Sequence, residues 1–521
     1  MLKKAGFLLV LLFIVALPAS YAQETGTPFQ LTLMHTNDTH ANYLPQRDGV
    51  GGVARQATAV KQIRAEAKHS LLVDAGDRFT GSVFHSFYQG QDNVRVMNLL
   101  GYDAMVLGSY EFTHGPDVLA DFVNALNFPV VVSNVDFSAY ENLAAIQPYI
   151  IRDFDGEQIG IIGVTRGDSR LRPIPDLVFD TDYVGVVQNT IDTLTTQGVN
   201  KVILISHLGY FDDLEMATNL NGVDIIVGGD TNTLLSNSLP DAEGAYPTVI
   251  DSASGDPVLV VQAWDKTQVM GHLDVTFDAD GVLIEWDGDA ILLDDSLEPD
   301  PDMQALIDDM DSEIGGFLSQ TVGENTIYLD GTEEVCRYSE CNMGNIITDA
   351  MRAATGAQIA FQNGGGIRAS IETGTVTVGD VLNVLPFNNT YVIFEVTGID
   401  VIAALENGVS RTDATEGTGR FLQVSGLRYS WDGSQPVGRR VVSVEVMNED
   451  GEYEPLDPDE IYSIATNDYL SVGGDAYDMF ANNARNSYDF GRTLDEAVRD
   501  YIAQTSPVAA QTEGRIIRID R

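Results

Sequence analysis

The chain has 521 residues, 44% of them hydrophobic and 20% charged, which is too long for one ordinary domain and typical of a globular rather than a disordered protein. Its 77 Asp and Glu against 29 Lys and Arg give a formal charge of −48, a surface that repels nucleic-acid backbones and anionic membranes and so excludes a polynucleotide as the expected partner. The same field repels anionic small molecules, so phosphate chemistry here would need local cations, either metal ions or a few convergent arginines.

The first element is a leader. Met1-Leu2-Lys3-Lys4, an apolar run from Gly6 to Ala19, and Ser20-Tyr21-Ala22 before Gln23 read as a secretory signal over residues 1–22. The run is short for a membrane span, and no Cys follows the expected cleavage point to carry a lipid. The last nine residues have no apolar tail. The mature protein is therefore expected outside the cytoplasm, secreted or periplasmic, without a membrane anchor. The two cysteines, Cys336 and Cys341, are too few to fill a zinc shell and in an exported chain are expected to pair, with Arg337 inside the short loop.

From residue 31 to about 261, short apolar runs alternate with stretches compatible with helices. The runs are 31–35, 71–73, 104–107, 130–132, 159–164, 202–205, 223–227 and 258–261. Near-continuous apolar strands of this kind predict an α/β layered domain with its sheets covered, and sites just past the strand ends. Near residue 297 the pattern changes: Pro299, Asp300 and Pro301 precede Met303, Leu306, Ile307, Met310, Ile314 and Leu318 at helical spacing. This predicts a linker helix within 298–325, between a first domain over 28–297 and a second over 326–521.

Four strand ends carry groups able to bind metal. Asp38 and His40 follow the first run, and Asp77 follows the second through Asp74-Ala75-Gly76. His207 follows the run at 202–205, and Asp230 and Asn232 follow the run at 223–227. A carboxylate with an imidazole suits a divalent transition metal. Each cluster alone is an ordinary polar turn; four in succession point to a dinuclear phosphatase centre.

At these residues the chain resembles a known family. Asn37-Asp38-Thr39-His40, Gly51-Gly52-Val53-Ala54-Arg55, Asp74-Ala75-Gly76-Asp77 and Ser206-His207 resemble the metallophosphatase domain of 5′-nucleotidases. The stretch from Cys336 to Asn345, Gln362-Asn363-Gly364-Gly365-Gly366-Ile367-Arg368, Arg420-Phe421-Leu422-Gln423-Val424 and Gly473-Gly474-Asp475 are similar to the C-terminal domain of animal ecto-5′-nucleotidase and of bacterial periplasmic UDP-sugar hydrolase. The resemblance implies an N-terminal calcineurin-like β-sandwich flanked by helices, and a C-terminal α+β nucleoside-binding domain. It also implies two-metal hydrolysis of nucleotide phosphates. By position, Asp38, His40, Asp77 and Asn232 are then ligands of the first metal. Asp77 bridges to a second held by His207, Asp230 and Ser109. Arg337, Asn363 and Arg368 contact substrate, Phe421 and Tyr469 sandwich the base, and Asp475 lies beside them. Two rings bind a flat base with little regard to its identity, and guanidinium groups suit ribose and phosphate oxygens.

The family's Gly-Asn-His-Glu-Phe-Asp reads Gly108-Ser109-Tyr110-Glu111-Phe112-Thr113 here. Tyr110 replaces the His that stabilises the transition state, Thr113 replaces its Asp partner, and Ser109 and Asp230 replace second-metal ligands. Oxygen ligands shift the second site from Zn²⁺ towards Mn²⁺, Mg²⁺ or Ca²⁺, or empty it, so one or two divalent ions are expected. His114 and His85 are the nearby histidines that could stand in, though both read as core or surface residues. The expected function is hydrolysis of nucleoside 5′-phosphates, weakened or altered. The alternative is a nucleotide- or nucleoside-binding pseudoenzyme.

Overall fold

The computed structural model describes residues 28–46, 48–167, 174, 176–412, 418–448 and 450–520; the leader expected over 1–22 lies outside them. The first domain is two sheets face to face. One has five strands in the order Leu283–Leu292, Val269–Phe277, Phe29–Thr36, Ser70–Asp74, Ala104–Met105. The other has six, in the order Thr248–Asp251, Pro257–Val261, Ile225–Val227, Val202–His207, Glu157–Thr165, Tyr149–Phe154. Their inner strands are buried along most of their length and pair in parallel, Phe29–Thr36 with Ser70–Asp74 and Val202–His207 with both its neighbours. Apolar runs buried on both faces account for this core. Helices cover the outside, among them Val53–Glu66, Gly115–Ala125, Tyr183–Thr196 and Tyr210–Asn219.

The run at 130–132 is not a ladder strand: Val130 and Val131 make only isolated bridges, to Met105 and Gln147. The long antiparallel pair Val269–Phe277 and Leu283–Leu292 closes the first sheet. Among the described residues no helix is long and apolar enough to cross a membrane.

The helix Pro301–Leu318 starts at Asp300, whose side chain accepts from the Met303 N–H; Pro301 suits the first helical position. Met303, Ile307, Met310 and Ile314 are buried in the first domain's core. The strand Thr321–Asn325 that follows pairs with Gly374–Thr377. The second domain then builds a five-stranded sheet, Leu422–Ser425, Ile359–Asn363, Ile461–Asn467, Thr390–Thr397, Arg485–Thr493, and a four-stranded one. Asn342–Thr355 and Leu494–Thr505 are helices with buried faces in this domain. Cys336 and Cys341 form a disulfide.

Candidate metal centre

The strand-end loops of the first domain converge because two glycines let their backbones touch. A Cβ on Gly76, at φ +91°, would lie 2.5 Å from Gly108 N, and one on Gly108 would lie 2.3 Å from Asp77 N. Asp38, His40, Asp77, Asp230 and Asn232 all have positive φ, between 48° and 75°. A left-handed backbone costs side-chain-bearing residues energy and gathers at functional sites. Here it turns successive side chains into one space.

Each imidazole is fixed by a carbonyl behind it. His207 Nδ1 donates to Ala75 O at 2.6 Å, and His40 Nδ1 donates to Phe79 O at 3.2 Å. Both rings therefore turn Nε2 forward, the arrangement of a metal-binding histidine. His207 Nε2 is buried without a hydrogen-bond partner among the described residues. It lies 3.2 Å from Asp77 Oδ2 and 3.9 Å from Asp230 Oδ1. Asp38, Asp77 and His207, all buried, bring one ligand atom each within 4.8 Å of one another. Burial pushes the Asp38 carboxyl well up and pulls against the His207 imidazole; the carboxylates of Asp77, Asp38 and Asp230 outweigh burial at His207 and hold its imidazole far above its ordinary range. Two buried carboxyls gathered around a buried imidazole nitrogen form a donor set that a divalent cation satisfies.

The other expected ligands stand around this group. His40, Asp77, Ser109, Asp230 and Asn232 line one cleft of about 770 Å³, closed from the other side by Asp468, Tyr469 and Asp489 of the second domain. Asp230 donates its N–H to Asp38 Oδ1 and pairs through Oδ2 with Arg166 at 3.2 Å. Tyr110 donates its N–H to Asp77 Oδ1 at 2.9 Å and sets its ring edge on His40. Its hydroxyl donates to Asp489 Oδ2 at 3.3 Å. Thr113 packs against Gly491, where a Cβ would meet Thr113 Cγ2 at 2.0 Å. Tyr110 and Thr113 thus both meet the strand Arg485–Thr493 of the second domain. His85 and His114 lie behind the centre with Nε2 atoms 3.0 Å apart, beside Phe79, and neither lines the cleft.

Of the expected substrate residues, Tyr469 alone lines this cleft. Its hydroxyl joins Asp475 Oδ1 at 3.2 Å, and Asn363 Nδ2 donates to Asp475 Oδ2 at 2.9 Å. Arg337 and Arg368 share Glu333 Oε1, at 2.6 and 2.9 Å. Phe421 is fully buried against Trp431 while Tyr469 is 45% exposed. An open slot between those two rings is therefore absent from this arrangement. Buried in the same core as Trp431, Phe421 offers no face to a base.

Sequence reasoning passed over Glu111 and Arg166. Glu111 is buried in the motif Gly108–Thr113, and its carboxyl accepts the N–H groups of Asp77, Arg78, Phe79 and Gly108 at 2.6–3.1 Å. It shapes the loop that presents Asp77. Glu111→Ala strands these four buried donors and is expected to cost at least about 3 kcal/mol. The midpoint of thermal unfolding of the metal-free protein reads this; an unchanged midpoint would mean the loop holds itself. Arg166 follows the strand Glu157–Thr165 directly, so the rule that found the other strand-end groups applies to it as well.

A calcineurin-like phosphoesterase model matches residues 31–233, which makes the first domain a metallophosphoesterase and the protein a hydrolase. A model of the 5′-nucleotidase C-terminal domain matches residues 317–482. Snake venom 5′-nucleotidase of Gloydius brevicauda is 36% identical over 98% of this chain and 92% of its own length. The solved 5′-nucleotidase precursor of Thermus thermophilus is 42% identical, covering 95% of this chain and all of that one at a TM-score of 0.61. NAD nucleotidase of Haemophilus influenzae is 25% identical, covering 94% and 99% of the two chains at a TM-score of 0.79. The chain belongs to the 5′-nucleotidase family.

Proposed function

We propose that the protein is an exported, metal-dependent hydrolase of nucleoside 5′-phosphates whose rate is lowered by the replacement of the family's His and Asp. The observation that carries this is the buried group Asp38, Asp77 and His207, opening on a cleft that Tyr469 of the second domain also lines. His40 Nε2 and Asn232 would hold the cation together with Asp38 and Asp77, with His207 beside Asp77. A bound divalent cation there withdraws charge from phosphoryl oxygens and polarises water. The protein's own groups orient the substrate: Tyr469 presents a ring to the base, and Arg337, Asn363, Arg368 and Asp475 form the polar wall of the nucleoside site. Phe421 could complete a sandwich only after rearrangement, being fully buried here.

Export is supported by the basic, apolar and small-residue succession over residues 1–22 and by the Cys336–Cys341 disulfide. The second reading, binding without turnover, is favoured by one observation, the engagement of the Tyr110 hydroxyl with Asp489 in place of a free cationic group.

Phosphate release from AMP by the mature protein with Mn²⁺ decides between them, with Asp77→Ala as the blank. Release above the blank is the expected result. A folded protein that binds AMP and releases nothing would establish the binding role.

A further inference from the structure

The cleft is walled with acid. Among its described lining residues Asp77, Asp230, Asp468 and Asp489 carry carboxyl groups, and Arg166 is the sole Lys or Arg. A phosphate group entering it meets local repulsion on top of the chain's charge of −48, and one cation at the centre must carry much of the compensation.

Arg166 is built into position. Thr165, at the end of its strand, pairs in parallel register with His207, so the arginine stands one residue beyond the level of that imidazole. Its Nη2 sits between Asp212 Oδ2 at 2.9 Å and Asp230 Oδ2 at 3.2 Å. The other oxygen of Asp230 lies 3.9 Å from His207 Nε2, so one carboxylate spans the imidazole and the guanidinium. Asp230 stands where the family's second-metal His is expected, and the tight group of acidic and imidazole ligands is Asp38, Asp77 and His207 without it. The carboxylate that replaced a metal ligand holds an arginine.

We propose that Arg166, held beside the metal centre by Asp230, binds the phosphoryl oxygens of the substrate and supplies this centre's second positive charge. A guanidinium fork matches two phosphoryl oxygens at once, and its charge persists at every working pH. Its Nη2 makes the ion pairs with both Asp212 and Asp230, so the fork is oriented before substrate arrives. The proposal rests on the reading of this cleft as a phosphate-ester site, but its test does not need turnover.

The test is calorimetric binding of inorganic phosphate to the Mn²⁺-loaded full-length mature protein, with metal per chain measured on the same samples. Arg166→Gln is expected to weaken phosphate about tenfold or more while metal content and the unfolding midpoint stay as in the wild type. Arg166→Lys should fall between the two. Lys68→Gln, the same charge change at an exposed position outside the cleft, should bind phosphate like the wild type. Phosphate affinity within twofold of wild type in Arg166→Gln overturns the proposal, as does absence of phosphate binding by the wild type. Parallel loss of metal in Arg166→Gln also overturns it, since the arginine would then be a prop for Asp230. Arg166-dependent phosphate binding in a protein that does not hydrolyse AMP supports this proposal while the hydrolase reading fails. AMP hydrolysis with phosphate binding and KM unchanged in Arg166→Gln does the reverse.

Discussion

Asp77→Ala is expected to remove metal uptake and phosphate release together. The carboxylate is central to the cluster: Oδ2 faces His207 Nε2 at 3.2 Å, Oδ1 accepts from Tyr110 N at 2.9 Å, and the residue is buried. Removing it leaves Asp230, whose N–H bonds Asp38 Oδ1 and whose Oδ1 lies 3.9 Å from His207 Nε2, as the looser link between the imidazole and the Asp38 carboxyl. It also cancels the charge that most strongly opposes burial at His207, so the imidazole returns towards its ordinary range. Loss of charge neutralisation at the reacting phosphate is worth on the order of 10³ or more in rate. Metal content by emission spectrometry and phosphate release from AMP are the paired readouts. Retained turnover in Asp77→Ala would refute the assignment. The variant should stay folded, because Glu111 and not Asp77 gathers the backbone N–H groups of this loop.

The second large effect is a gain. Tyr110 is expected from the sequence at the position of the family's His, but burial, followed by the charges of Asp489, Asp77 and Asp468, drives its hydroxyl well above its ordinary range. It stays neutral and donates to Asp489. Tyr110→His combined with Thr113→Asp supplies an imidazole and a carboxylate partner, and is expected to raise kcat about 10²-fold. The cost is the interdomain hydrogen bond to Asp489, about 1 kcal/mol. Tyr110→Phe, which loses that bond and gains no charge, separates the two effects: its kcat should remain within about threefold of wild type, since a neutral hydroxyl already engaged by Asp489 contributes little. A double variant no faster than wild type would mean that a missing cation is not what slows this centre.

The sheet core was legible from sequence wherever strands are buried on both faces, because an apolar run such as 202–205 then survives without interruption. It was not legible at Leu283–Leu292, where Ile284, Glu285 and Asp287 are exposed and only Leu283 and Ala290 are buried. Burial on one side of an edge strand leaves too little pattern to read. The run at 130–132 shows the converse: an apolar stretch buried in the core without a ladder partner.

At the site, residue types placed just past strand ends were sufficient to nominate Asp38, Asp77, His207 and Asp230. What each one pairs with was not visible, because pairing depends on which loops meet in space. Asp230 holding Arg166 and Tyr110 reaching Asp489, a contact 379 residues apart, are facts of tertiary packing. Phe421 illustrates the limit for aromatics. Its neighbours in sequence suit a binding loop, yet Trp431, from the strand Leu427–Trp431, shares its buried core.

The most direct test of the account is AMP hydrolysis by the Mn²⁺-loaded protein in ¹⁸O-enriched water, with the released phosphate analysed by mass. The account predicts phosphate carrying one solvent oxygen and unlabelled adenosine, lost on chelation and restored by Mn²⁺. Label in adenosine, or no phosphate from a folded protein that still binds both metal and AMP, would contradict it.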